Sequence, residues 1–177
     1  EIQKGHALES YKLDNVSAHF MKGTILDDPK PRILLFKELD ENGKRLRKTI
    51  LHVTSLGNLK QGDYVTFKLY TKFGEIKYEQ NKKYEILEIV NENSKKYFIV
   101  NGRISVSKYK KDDSLIRYEW CLAKDDVSPQ QIFDFHKHSG KDGRAKIAKY
   151  CIMDCELCIH LLQHQDIIPN NMGMASV

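Results

Sequence analysis

The sequence predicts an α+β protein in which helices at both ends flank a β-rich middle. Three observations predict it. Apolar residues recur at helical spacing near residues 10–21 and again over 128–164. Between them, from about Gly23 to Ala123, short alternating runs rich in β-branched and aromatic residues are separated by turn signals. Seven of the nine tyrosines (64, 70, 78, 84, 97, 109 and 118) fall in that middle, as strand propensity favours.

At the N-terminal end, Ser10 is placed to cap a short helix whose inner face carries Leu13, Val16, Ser17 and Phe20. The middle then offers seven candidate strands: Arg32–Phe36, Thr49–Leu56, Tyr64–Tyr70, Lys83–Val90, Tyr97–Val100, Arg103–Tyr109 and Ile116–Leu122. Asn42-Gly43, Gly62-Asp63 and Asn101-Gly102 punctuate them, the last with a two-residue hairpin signature. Strands this short and this closely spaced point to a small all-β barrel or sandwich. After it, Ser128-Pro129-Gln130-Gln131 is a capping box with proline in the first turn. The helix it opens carries Ile132, Phe133 and Phe135 and stops near Gly140. Asp142 is placed to cap a long second helix, and Pro169 lies just beyond its end. These helices read as one layer packed against something this sequence does not contain.

Composition is that of a globular domain: 177 residues, 41% hydrophobic and 30% charged. No apolar run approaches the roughly 18 residues of a membrane span, and no signal peptide is visible. The net charge of +5 is compatible with a nucleic-acid partner without demanding one. Residues 22–123 hold 21 Lys and Arg against 14 Asp and Glu, so the β region carries the positive balance.

The chemistry concentrates in the long helix. Tyr150 and Asp154 lie four residues apart and therefore share a face. Their row, Ile147, Tyr150, Asp154, Leu157 and Leu161, is otherwise apolar. An ionised carboxylate there is costly unless a positive or hydrogen-bonding group meets it, and a metal ion is one such group. The same helix carries Cys151-x3-Cys155-x2-Cys158, a spacing that also holds iron–sulfur clusters, with His160 and His164 following as zinc-type donors. Ala148, Cys151, Cys155, Cys158 and Leu162 nevertheless form one helical stripe, in which cysteine acts as a small hydrophobe, and packing is the reading adopted. With Cys121 apart from the rest and no secretory signal, the four thiols are expected to be reduced.

Two blocks add a resemblance. From Asp125 the chain reads DDVSPQQIF, RAKIAKYCIMDCELCIHLL and IIPNNMGMASV, which resembles the third exonuclease motif of family B DNA polymerases and its flanks. The likeness is to the delta-like enzymes of large nucleocytoplasmic DNA viruses. Ser10–Met21, SYKLDNVSAHFM, is similar to the segment after the second exonuclease motif, and the two blocks occur in the family's order. The resemblance implies an incomplete ribonuclease H-like 3′-5′ exonuclease domain, mainly its helices, in residues 1–22 and 124–177. Residues 23–123 are then an inserted β domain. It implies Tyr150 as a water-orienting phenol and Asp154 as a ligand of Mg²⁺ or Mn²⁺. The first two motifs would precede Glu1 and the polymerase carboxylates would follow Val177, so this chain alone is expected to be inactive. The implied partners are a DNA primer-template and a single-stranded 3′ end, in the nucleus or a cytoplasmic viral factory. The insert remains open: its tyrosines and lysines suit a single-strand groove, a replication-factor contact, or merely half-buried strands with charged edges. The alternative for the whole chain is a non-enzymatic nucleic-acid-binding β-barrel protein with a helical extension.

Overall fold

The computed structural model describes residues 7, 8, 10–27, 31–39, 45–92, 95–106, 115–124 and 127–175. The chain divides into two compact units, Glu1–Phe20 with Lys124–Val177, and Met21–Ala123.

The Met21–Ala123 unit is all β among its described residues, apart from one short turn of 3-10 helix. Its strands are β1 (Lys22–Thr24), β2 (Arg32–Leu39), β3 (Arg45–His52), β4 (Tyr64–Thr71), β5 (Gly74–Lys77), β6 (Tyr84–Glu92), β7 (Lys95–Asn101) and β8 (Leu115–Ala123). They hydrogen-bond in the order β1-β8-β4-β6-β7-β3-β2, every pairing antiparallel, with β5 added on β4. Ile25 then bridges to Val53, and Leu26 N–H donates to the His52 carbonyl at 2.8 Å. That link joins the end of β1 to the end of β3 and closes β1-β8-β4-β6-β7-β3 into a ring. The barrel form of the expectation therefore holds, and closure removes most free edges.

Side-chain alternation explains the interior. Along β4, Val65, Phe67, Leu69 and Thr71 are buried while Tyr64, Lys68 and Tyr70 are half-buried, the period-2 pattern of a barrel wall, broken only at Thr66, which is buried as well. Trp120 on β8 is the largest buried side chain; it meets Phe98 of β7 edge-to-face at 6.3 Å and donates its indole N–H to the Ser55 carbonyl. Gly23 permits this. A Cβ there would lie 2.6 Å from the indole nitrogen and 2.9 Å from the Ser55 oxygen.

Several local expectations change. The strand expected at 49–56 runs instead from Arg45 to His52, and β1 and β5 had not been anticipated. Asn101-Gly102 makes no tight hairpin. Gly102, at φ 123°, donates its N–H to the Arg47 carbonyl and accepts the Thr49 hydroxyl, so the chain crosses the end of β3 instead of reversing. Residues 103–106 consequently form no strand. The remainder of the expected Arg103–Tyr109 strand, and Asn42-Gly43, lie outside the described residues.

The other unit is helical: α1 (Leu13–Phe20), α2 (Pro129–His138), α3 (Gly140–His164) and α4 (Ile167–Ala175). Ser128 forms the expected capping box with Gln131. Ser10 accepts the Lys12 N–H at 3.3 Å, one residue ahead of α1 rather than inside its first turn. Asp142 does not cap α3, which starts two residues earlier, after Ser139. The reason is a tight α2–α3 turn: Gly143 sits so close to the Phe135 carbonyl that a Cβ would overlap it at 2.1 Å. Pro169 lies beyond α3 as expected but inside the first turn of α4, where its missing N–H costs nothing. Among the described residues no helix is long and apolar enough to cross a membrane.

Gly23→Ala should destabilise the 177-residue chain by about 1–3 kcal/mol through overpacking, and Trp120→Ala by about 3–5 kcal/mol. Gly173→Ala, where a Cβ meets nothing within 4 Å, should be neutral or stabilising. Urea titration of the three variants checks the ranking.

Candidate functional site

The row predicted to matter on α3 is the one the helical unit buries. Leu157 and Leu161 are buried and Ile147, Tyr150 and Asp154 are half-buried, whereas Ala148, Cys151, Cys155, Cys158 and Leu162 are exposed within this chain. The expected packed cysteine stripe is therefore corrected. The cause is the direction from which α1 packs, bringing Val16 and Ser17 into the interior and Phe20 against His164 at 5.7 Å between rings. Among the described residues no group of three or more His, Cys, Asp and Glu converges in a way that could hold a metal.

The residue that meets the carboxylate is Lys124, which sequence reading had passed over. Its ammonium lies 2.9 Å from Asp154 Oδ2 and 4.7 Å from the centre of the Tyr150 ring. Partial burial works against the ammonium, but hydrogen bonds with Tyr150 and Asp154 and the carboxylate charge outweigh it and raise its pKa above the ordinary lysine value. The stability this adds is fully present below the unfolded lysine pKa and is lost only as pH rises through the higher folded value. The ammonium is thus charged at neutral pH. At its other end Lys124 is fixed through the main chain, where its N–H donates to Asp14 Oδ1 on α1 at 3.0 Å.

One atom is left over. Asp154 Oδ1 is buried and has no hydrogen-bond partner among the described residues, although the side chain as a whole keeps 31% of its exposure. A buried acceptor without a partner costs about 1–3 kcal/mol, and more when charged. Tyr150, Asp154 and Lys124 together therefore present a phenol, an ammonium and one uncommitted carboxylate oxygen within a few ångströms. No run of sequence spacing links Lys124 to α3; the signal available was only that an Asp in an apolar row needs a cation.

The tyrosines of the barrel divide. Tyr78, Tyr84 and Tyr118 are buried, with Tyr84 donating to Glu79 at 2.6 Å and Tyr118 to the Leu26 carbonyl at 3.2 Å. Tyr78 and Tyr84 are therefore core residues and not stacking platforms. Tyr64, Tyr70 and Tyr97 are half-buried; Arg117 covers the ring of Tyr70 at 4.5 Å, and His52 lies 5.2 Å from Tyr97. Tyr109 lies outside the described residues.

No family model matches the chain. It is 34% identical over 176 residues to a DNA polymerase of Pyramimonas orientalis virus, and 32% identical over 182 residues to a DNA polymerase of Phaeocystis pouchetii virus. Both alignments cover 99% of this chain. Over nearly its whole length the chain is thus similar to a segment of these viral DNA polymerases. A DNA polymerase of Acanthamoeba polyphaga mimivirus, 28% identical over 203 residues, again covers 99% of the chain. The alignments run through the barrel as well as the helices, so the β unit is shared sequence in these polymerases. The chain spans 11 to 15% of the length of these curated relatives.

Burial pushes the Cys121 thiol up to about 12, whereas Cys151, Cys155 and Cys158 are exposed. In the native 177-residue chain at pH 8, an aromatic disulfide reagent should titrate three thiols rapidly and Cys121 only after denaturant is added. Four fast thiols would contradict the closed barrel.

Proposed function

We propose that residues 1–22 and 124–177 are part of the 3′-5′ proofreading exonuclease domain of a family B DNA polymerase, ribonuclease H-like in fold, and that 23–123 is inserted within it. The observation that carries this reading is Asp154 Oδ1, without a partner among the described residues, beside Tyr150 on a segment that resembles the family's third exonuclease motif. The polymerase names of the relatives support it at the coarser level of DNA synthesis. By the same reading the whole protein acts on a DNA primer-template and its single-stranded 3′ end, at the intracellular site of viral replication.

Among the described residues the cluster offers one carboxylate oxygen of the kind a hard divalent cation takes. Asp154 Oδ1 has no competing hydrogen bond among the described residues, and Mg²⁺ or Mn²⁺ takes carboxylate oxygen. Asp154 would hold it as one ligand, with other carboxylates supplied from polymerase sequence beyond these 177 residues. When bound, a pair of such ions stabilises the attacking and leaving oxygens of a phosphodiester displacement. The chain's own residues do the positioning. Lys124 takes up Asp154 Oδ2, leaving Oδ1 as the free face of the carboxylate, and its charge also restrains the Tyr150 ring. Tyr150 is left to orient the water that attacks the terminal phosphodiester. The ammonium further offers positive charge to a phosphate anion approaching the cluster.

In a full-length polymerase carrying this sequence, Asp154→Ala should lower 3′-5′ hydrolysis by about a hundredfold or more while leaving primer extension largely intact. The isolated 177-residue chain should trim no 3′ end with Mg²⁺ or Mn²⁺, because one carboxylate cannot hold two cations. Undiminished hydrolysis in the variant removes the assignment.

A further inference from the structure

We propose that Asp14 is a positioning residue for 3′-end hydrolysis, acting through the main chain of Lys124. The inference rests on the exonuclease reading above and extends it to a residue outside the third motif. Asp14 stands in the first turn of α1, where an acidic side chain ordinarily serves its own helix N-terminus. Here its Oδ1 reaches across 110 positions of sequence to the Lys124 N–H, at 3.0 Å.

The location of that N–H gives the contact its consequence. Lys124 is the first residue after β8, and the last bond between β8 and the β1 side of the barrel runs from Leu122 N–H to the Met21 carbonyl at 2.9 Å. On its other side β8 is paired with β4 as far as Ala123, opposite Tyr64, and Lys124 is the next residue along the chain. Lysine has four rotatable side-chain bonds and about 2 kcal/mol of rotamer entropy, so an ammonium keeps its place only if its root is held. Asp14 holds the root of Lys124, and Asp154 Oδ2 receives its tip at 2.9 Å. Both ends of this lysine are therefore carboxylate-bound, one through the backbone and one through the side chain.

What Asp14 provides to Lys124 through this bond is an acceptor oxygen, because the donor is a neutral amide. An asparagine keeps that oxygen; alanine removes it and leaves the Lys124 N–H to water or unpaired. Displacing Lys124 shifts Tyr150 and Asp154 relative to the scissile phosphate, and misplacement on the ångström scale is enough to cost about a hundredfold in rate. The loss should appear in kcat, because Asp14 touches no substrate.

The test is a double-mutant cycle in the full-length polymerase, with hydrolysis of a single-stranded 3′ end and primer extension measured in parallel. Asp14→Ala should lower exonuclease kcat about tenfold to a hundredfold with KM within about twofold and extension unchanged. Asp14→Asn should retain most of the activity. In a Lys124→Ala background, Asp14→Ala should have no additional effect, since the residue it acts through is gone. Equal losses in both backgrounds, a loss confined to KM, or inactivity of Asp14→Asn would overturn the proposal. If Asp14→Ala lowers the melting temperature, Asp14→Glu, which carries the carboxylate one methylene too far, takes its place in the same cycle. Should Asp154→Ala and Lys124→Ala both leave hydrolysis intact, the exonuclease reading itself fails. If they abolish it while Asp14→Ala does nothing, only the role of Asp14 falls.

Discussion

A carboxylate on an apolar helix row has to be met by something positive, and in this chain Lys124 meets it. The ion pair with Asp154 lets α3 turn its Tyr150–Leu161 row toward the interior of the helical unit instead of toward water. With that face inward, Cys151, Cys155 and Cys158 are left exposed within this chain. It also divides the Asp154 carboxylate into two chemically different oxygens, one paired with an ammonium and one buried without a partner. A cluster built only for stability gains nothing from the second. The proposed catalytic use of Asp154 accounts for it.

The barrel has a different logic. Its core is complete within Met21–Ala123, with Trp120, Phe67, Phe98, Tyr84, Leu51 and Ile86 all fully or nearly fully buried. Its first and last strands, β1 and β8, are paired neighbours in register from Lys22 with Cys121 to Thr24 with Glu119. A unit whose entry and exit lie side by side can sit inside a parent domain without stretching it, which is the usual condition for tolerated insertion. On the β8 side Lys22 and Arg117 both pair with Glu119, and Lys68 pairs with Glu75.

Much of this was legible in the sequence, and the parts that were not share a cause. Helix positions, the Ser128 capping box and most strands follow from local patterns, because caps and two-residue alternation are short-range signals. The Tyr150–Asp154 row was likewise readable from spacing. The exposed side of α3 was misread because alternative apolar stripes on one helix differ only in what packs against them, a long-range property. Asn101-Gly102 misled for a similar reason: a glycine that can reverse the chain can also let it pass close to Tyr84, and only the fold says which. Lys124 and Asp14 were invisible as site residues, since nothing local distinguishes a lysine after a strand from any other. Their relation spans 110 residues of sequence, beyond the reach of any local pattern.

The central claim, that Asp154 is held by Lys124 through one oxygen so that the other is free for a metal, is tested most directly by anomalous scattering. Crystals of a full-length polymerase carrying this sequence, grown with a single-stranded 3′ end and Mn²⁺, should show a metal about 2.0–2.2 Å from Asp154 Oδ1, with Lys124 still on Oδ2. Manganese bound elsewhere in the exonuclease cleft with Asp154 left out, or a lysine displaced from both Asp154 and Tyr150, would contradict the account.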